Sequence, residues 1–164
     1  MGNCCTRVEQ ELSGPVGLGH FRTVRYIGRG AFGNVMVVMK RYTQQAYALK
    51  ERKLLEELES SFICNMRYAF QDDLNLYICL DFMEGGDLRF HLNQKGWFTE
   101  SVVRYMISEV ALGLEYIHMQ DVVHRDIKPA NVLIDAAGHC YITDFNVAAR
   151  TRPNGPITGT AGTY

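Results

Sequence analysis

The sequence predicts an α+β fold in two unequal lobes: a five-stranded antiparallel sheet, then a mainly helical part. Three observations predict it. Up to residue 83, short apolar runs rich in β-branched and aromatic residues are separated by turn residues, the pattern of consecutive strands. Between Thr99 and Ile117, apolar residues recur at helical spacing. Further on, two short apolar runs, Val132 to Ile134 and Cys140 to Ile142, flank Ala136-Ala-Gly-His139, which reads as a β-hairpin. With 164 residues, 47% hydrophobic and 21% charged, the chain has enough apolar material for one domain with a core.

Residues 1–20 precede this fold. Met1-Gly-Asn-Cys-Cys-Thr6 matches the N-myristoylation pattern, with Gly2 as acceptor and Cys4 and Cys5 as palmitoylation candidates. Residues 9–20 carry Gly14, Pro15, Gly17 and Gly19 and no helical stripe, so they read as a linker. Strands are expected at 21–27, 35–41, 46–50, 63–70 and 76–82. Between the third and fourth, residues 51–62 read as the second half of a helix and the turn after it. Leu54, Leu55, Leu58 and Phe62 share one face with Glu51, while Glu56, Glu57 and Glu59 lie off it in solvent. Thr99 is expected to cap a later helix whose buried stripe is Val103, Met106, Ile107, Val110, Leu114 and Ile117.

A formal net charge of −1 without a long basic run gives nucleic-acid binding no electrostatic support. No apolar stretch approaches the roughly 20 residues of a membrane-spanning helix, and no secretory signal is visible. The five cysteines do not form paired C-x-x-C metal spacings; Cys64, Cys79 and Cys140 sit in strand-like runs and read as buried free thiols.

The chemistry concentrates in Val122-Val-His-Arg-Asp-Ile-Lys-Pro-Ala-Asn131 and in Asp144-Phe145-Asn146. Asp126 can accept a proton from a hydroxyl, and Lys128 can neutralise charge on a phosphate. Asn131 and Asp144 offer hard oxygen atoms suited to Mg²⁺, and the intervening hairpin returns Asp144 to the side of Asn131. Upstream, Gly28-Arg-Gly-Ala-Phe-Gly-Asn-Val35 is G-x-G-x-x-G-x-V between two strands, a loop whose backbone N–H groups can approach phosphates closely. A strand rather than a helix follows it, which argues against a dinucleotide-binding turn. Ala46-Tyr-Ala-Leu-Lys50 then brings a lysine to a strand end.

This order of motifs, from Phe21 to Tyr164, resembles the protein kinases, in the serine/threonine version marked by Lys128. Among them it is most similar to the YANK-type relatives of the AGC group, which also carry Asp-Phe-Asn. The resemblance implies a kinase-like bilobal fold, with residues 21–83 as small lobe and hinge and 84–164 as the first part of the large lobe. It implies ATP and Mg²⁺ as cofactors and protein Ser/Thr as substrate. Asp126 and Lys128 become catalytic candidates, and Asn131 and Asp144 metal ligands. Ile27, Gly28, Gly30, Gly33, Val35, Ala48, Lys50, Asp81, Met83, Asp87 and Leu133 become ATP contacts, with Asp81 and Met83 in the hinge, Leu80 as gatekeeper and Asp87 near the ribose. Glu51 matches the glutamate of the family's helix C that pairs with Lys50. The sequence departs from the family pattern in three places: Lys50 and Glu51 are adjacent where relatives have intervening helical turns, Ala130 replaces a common acidic residue, and no A-P-E follows Gly162-Thr163. The chain is therefore expected to be an incomplete domain with little transfer activity alone. A nucleotide-binding or scaffold module without transfer is the alternative reading.

The N-terminus predicts attachment to the cytoplasmic membrane leaflet. One acyl chain binds membranes only marginally, so stable attachment needs Gly2 and at least one of Cys4 and Cys5. Gly2→Ala, or Cys4→Ser with Cys5→Ser, is expected to move most of the protein to the soluble fraction after cell fractionation. A Gly2→Ala protein that still pellets with membranes would show that something other than a lipid holds it.

Overall fold

Residues 21–40 fold back on themselves. β-Branched and long apolar residues along Val35 to Met39 favour a pleated backbone, and β1 (Phe21–Gly30) pairs antiparallel with β2 (Gly33–Lys40). The structure, a computed structural model, describes residues 16–30, 33–41, 46–49, 57–71, 73 and 76–151. Gly2, Cys4, Cys5, Lys50, Glu51, the helical turns expected before Glu57, and the segment after Thr151 lie outside the described residues. β3 (Ala46–Leu49), β4 (Met66–Gln71) and β5 (Leu76–Asp81) complete an antiparallel sheet of order β1-β2-β3-β5-β4.

Alternation along β5 shows how this sheet buries both faces. Ile78 and Leu80 point into the main core with Leu58, Ile63, Ile117, Val122, Ile142 and Phe145. Cys79 joins Phe21 and Val38 on the other face, where Tyr68, Phe70 and Tyr77 pack against them. There the Phe70 ring stacks between Phe21, at 5.6 Å, and Tyr77, at 5.2 Å.

Two sequence expectations change here. Described residues 57–62 are not helical, although Leu58 is buried as its predicted face requires. The run expected as one strand from Ile63 is split. Ile63 bridges in parallel to Ile142, and Asn65 folds its side chain onto Ser60, accepting from Ser60 N at 2.9 Å and donating to Ser60 O at 2.9 Å. This local side-chain pairing competes with the ladder, so β4 starts only at Met66.

The second lobe begins with β6 (Gly86–Asp87) and α1 (Leu88–Lys95). Asp87 caps α1 by accepting from Phe90 N at 2.8 Å, and Gly96, at φ 78°, closes it in a conformation that costs glycine little. The long helix α2 (Glu100–Met119) follows. Thr99 occupies its N-cap, but its hydroxyl meets Ser101 Oγ rather than the backbone. After α2 come β7 (Val122–Val123), the hairpin β8 (Val132–Ile134) and β9 (Cys140–Ile142), and β10 (Ala149–Arg150). They form a three-stranded sheet of order β6-β8-β9 and a β7–β10 pair.

The buried face of α2 is rotated from the expected stripe. Met106, Val110, Leu114 and Ile117 turn inward to varying degrees, but Ile107 is 62% exposed and Val103 lies at the surface too. Glu109 and Gly113 are buried instead. A β-carbon at Gly113 would lie 2.9 Å from Ile142 Cδ1 and 3.0 Å from Phe62 O. The helix therefore meets β9 at a residue chosen for its lack of volume, which a hydrophobic stripe does not register. Gly113→Val should destabilise the protein by about 1–3 kcal/mol through overpacking. Gly113→Ala should cost less, because alanine recovers about 1 kcal/mol of helix propensity. Urea unfolding measures both; a Gly113→Val midpoint equal to wild type would refute this packing.

Candidate active site

The hairpin sets the site. β8 and β9 pair Val132 with Ile142 and Ile134 with Cys140, and Thr143 N donates to Asn131 O at 3.0 Å. Asn131 and Asp144 are thus held at adjacent strand ends, as the spacing predicts. Asn131 sits in a 3₁₀ turn (Pro129–Asn131), and its Nδ2 donates to Asp126 O at 2.9 Å and to Asp126 Oδ2 at 3.0 Å. Lys128 Nζ donates to the same Oδ2 at 2.8 Å. Asp126, Lys128 and Asn131 therefore form one connected group, with Asp144 beside it.

Two residues flank this group in the left-handed region, Arg125 at φ 67° and Asp144 at φ 69°. Each costs about 1–2 kcal/mol for a residue with a β-carbon, so the surroundings must hold them. Arg125 Nε donates to Val147 O at 2.6 Å. Asn146 Nδ2 donates to Asp144 Oδ1. Phe145 is buried with its ring edge-on to His124 at 4.9 Å. Asn146 itself has no positive φ; it lies in a 3₁₀ turn, and its visible use is the bond to Asp144.

His124 is a residue to which the sequence reading gave no role. It is buried, its Nε2 donates to Thr143 O at 2.9 Å, and its Nδ1 accepts from Asp126 N at 3.3 Å. This pattern assigns the proton to Nε2 and ties the backbone before Asp126 to the backbone before Asp144. The available signal was a titratable ring directly after two β-branched residues, Val122 and Val123.

The other predicted contacts lie on the small sheet, on the segment that leads out of it and on β8. Gly30 pairs with Gly33 at the end of the glycine hairpin, whose tip at 31 and 32 lies outside the described residues. Gly28 faces open space, since a β-carbon there would meet nothing within 4 Å. Ile27 is exposed and Val35 half-buried. Ala48 pairs with Leu80 across β3 and β5, and Leu80 is core. Met83 and Leu133 are partly buried against that core. Asp87 engages the α1 backbone, and the Asp81 carboxylate engages Arg67 rather than pointing at a ligand. Glu57, expected off the buried face and in solvent, is exposed and accepts from Arg150.

The donor set fits Mg²⁺ shared with phosphate. Asn131 turns its amide nitrogen to Asp126, which leaves the carbonyl oxygen as the end able to ligate, and Asp144 adds a carboxylate. Among the described residues no group of three or more His, Cys, Asp and Glu could hold a metal by itself. Mg²⁺ commonly takes only one or two protein oxygens and completes its shell with water and substrate phosphates.

A family model described as protein kinase domain matches residues 21–164. The chain belongs to the protein kinase family. This kinase domain is 40% identical over 166 residues to serine/threonine-protein kinase 32C of Mus musculus, covering 90% of this chain and 34% of the relative. It is also 40% identical to serine/threonine-protein kinase 32B of Homo sapiens, over 90% of this chain and 40% of the relative. A RAC family serine/threonine-protein kinase homolog of Dictyostelium discoideum is 36% identical over 85% of this chain and 35% of its own length. The domain thus spans between a third and two fifths of these relatives. An alignment of 166 positions is longer than the 164-residue chain, of which it covers 90%, so the mouse relative carries residues with no counterpart here.

Behind the hairpin, away from Asp126, a second polar group holds its turn. Glu109, 8% exposed, accepts from Cys140 N at 2.7 Å, from His139 Nδ1 at 2.7 Å and from the Tyr105 hydroxyl at 2.9 Å. Burial pushes the Glu109 carboxyl up, but the bonds from His139, Cys140 N and Tyr105 outweigh it and hold it below its ordinary value. The hydrogen bond to Glu109, helped by its charge, raises His139. The His139 contribution is therefore complete below its ordinary 6.5 and is lost as pH rises through the raised value. The Glu109 contribution is present above its ordinary 4.5 and is lost as pH falls through the lowered value. Melting temperature against pH should accordingly decline on the alkaline side in wild type and lose that decline in His139→Gln; identical profiles would disconnect the pair from stability.

Proposed function

We propose that this domain transfers the γ-phosphate of ATP to serine or threonine hydroxyls of proteins. The observation that supports this most is the convergence of Asp126, Lys128 and Asn131 on one carboxylate oxygen, with Asp144 held alongside. Asp126 orients the hydroxyl and takes its proton as the oxygen bonds to the γ-phosphorus and the bridging O–P bond to ADP breaks. Lys128, within hydrogen-bond reach of Asp126, offsets charge on the phosphoryl group in transit. Asn131 and Asp144 hold Mg²⁺, which when bound neutralises phosphate charge. The backbone of the glycine hairpin and Lys50 hold the phosphates, while the hinge at Asp81 and Met83, with Ile27, Ala48 and Leu133, receives the base.

A second reading, a kinase-like module that binds nucleotide or a partner without transfer, draws on Lys50 and Glu51. The two are adjacent in sequence, whereas a sheet lysine and a packed-helix glutamate meet only when intervening chain separates them. We place the family block lacking here at that junction. Membrane attachment through Gly2, Cys4 and Cys5 belongs to the same proposal.

Transfer of radiolabel from ATP to a protein substrate, measured on the domain within its whole protein because little transfer is expected of this chain alone, tests both readings. Asp126→Asn and Asp144→Asn should each lower transfer by at least about a hundredfold, and Lys50→Met should raise the ATP requirement by removing a charge-assisted contact. Full activity in Asp144→Asn would remove it from the metal site. ATP binding with no transfer above the Asp126→Asn blank would favour the second reading.

A further inference from the structure

The hinge is fastened from behind by a side chain with no assigned role. Between Met66 and Tyr68 the β4–β5 register shifts: Met66 lies opposite Leu80 and Tyr68 opposite Cys79, which leaves Arg67 as the extra residue. Such a bulge re-aims a side chain. Arg67 here reaches past its ladder neighbours to Asp81, the last residue of β5 and the first of the hinge, with Nε 2.7 Å from Oδ1 and Nη2 2.8 Å from Oδ2. Glu59 lies 3.6 Å from Nη1 on the other side.

Asp81 is also tied through its backbone. Its N–H donates to Asn65 O at 3.0 Å and its carbonyl accepts from Cys64 Sγ at 3.2 Å. The far end of the hinge is fixed where Gly85 N donates to Ile134 O at 2.9 Å, an approach so close that a β-carbon on Gly85 would lie 2.7 Å from that oxygen. Between these anchors, the outer side of the hinge borders an open cavity of about 680 Å³ whose walls include Arg67, Asp81, Phe82, Glu84 and Tyr141. The forked Arg67–Asp81 pair adds a side-chain anchor to these backbone bonds, and it stands on the side of the hinge that borders the cavity.

We propose that Arg67 is a positioning residue of the nucleotide site, which clamps the Asp81 carboxylate outward and so turns the hinge backbone toward the adenine base. The inference rests on the nucleotide-binding reading above and adds to it a determinant of base recognition. The pair is partly exposed, so its weight in global stability is small; a planar two-point bond nevertheless fixes orientation in a way that a single contact does not.

The test measures binding of ADP, GDP and inorganic tripolyphosphate, each with Mg²⁺, to the full chain by calorimetry. Arg67→Ala and Asp81→Ala should each weaken ADP about three- to tenfold, and the double variant no further, because one interaction is lost in all three. Tripolyphosphate affinity should stay unchanged and the ADP-to-GDP preference should narrow. Arg67→Lys keeps the charge without the fork and should fall between, which provides a readout if Arg67→Ala unfolds. Unchanged ADP binding in Arg67→Ala, or equal weakening of ADP and tripolyphosphate, overturns the positioning role while leaving the nucleotide site standing. A wild-type chain that binds neither ADP nor tripolyphosphate overturns the nucleotide reading, and this inference with it.

Discussion

The bonding of β9 is the constraint on which the rest depends. Ile142 is fully buried, its N–H donates to Phe62 O, its carbonyl accepts from Cys64 N, and its side chain lies against Gly113 of α2. One residue further, Thr143 N–H binds Asn131 O and Thr143 O binds His124. Two successive residues, Ile142 and Thr143, therefore join the segment leading into the small sheet, the long helix and both halves of the candidate site. Buried backbone groups of this kind must be paired, so β9 cannot shift without breaking several contacts at once. That rigidity is what holds Asp144 and Arg125 in left-handed backbone conformations that each cost free energy.

Much of this was legible because local chemistry and global fold agree. The five strands, the fourth of them shortened, the hairpin and the long helix all occur, since turn residues and hydrophobic period report directly on backbone geometry, whereas the helix expected over 51–62 is not seen in its described part, 57–62. The adjacency of Asn131 and Asp144 followed from a hairpin of known length. What escaped the reading depends on tertiary approach. Gly113 in α2 carries no hydrophobic signal, yet it decides which face is buried. Glu109 reads as surface charge until the β9 amide and His139 are seen to satisfy it. Asn65 interrupts an apolar run through a side-chain bond to Ser60 that periodicity cannot anticipate. Arg67 owes its direction to a register shift, which has no signature in the order of residues.

The two lobes are unequal in how they are stabilised. The outer face of the small sheet is closed by stacked rings, with Lys40 Nζ also 4.4 Å from the Tyr68 ring centroid. Its inner face belongs to a core continued by α2 and β9. Leu80, opposite Ala48 across β3 and β5, therefore packs with Ile117 and Ile142 in one cluster. A change of volume at Leu80 is felt by the long helix as well as by the small sheet, because well-packed interiors transmit strain.

The buried thiols make the core chemically silent while it is closed. Burial pushes the Cys79 thiol up to about 12 and the Cys140 thiol up to about 11, and Cys64 spends its proton on the Asp81 carbonyl. Thiolate is the form that reacts with alkylating reagents, so these three cysteines become modifiable only as their surroundings open. They sit in the aromatic face, on the hairpin and behind the hinge respectively. The order in which they take up a label is thus an internal clock for which part of the molecule opens first.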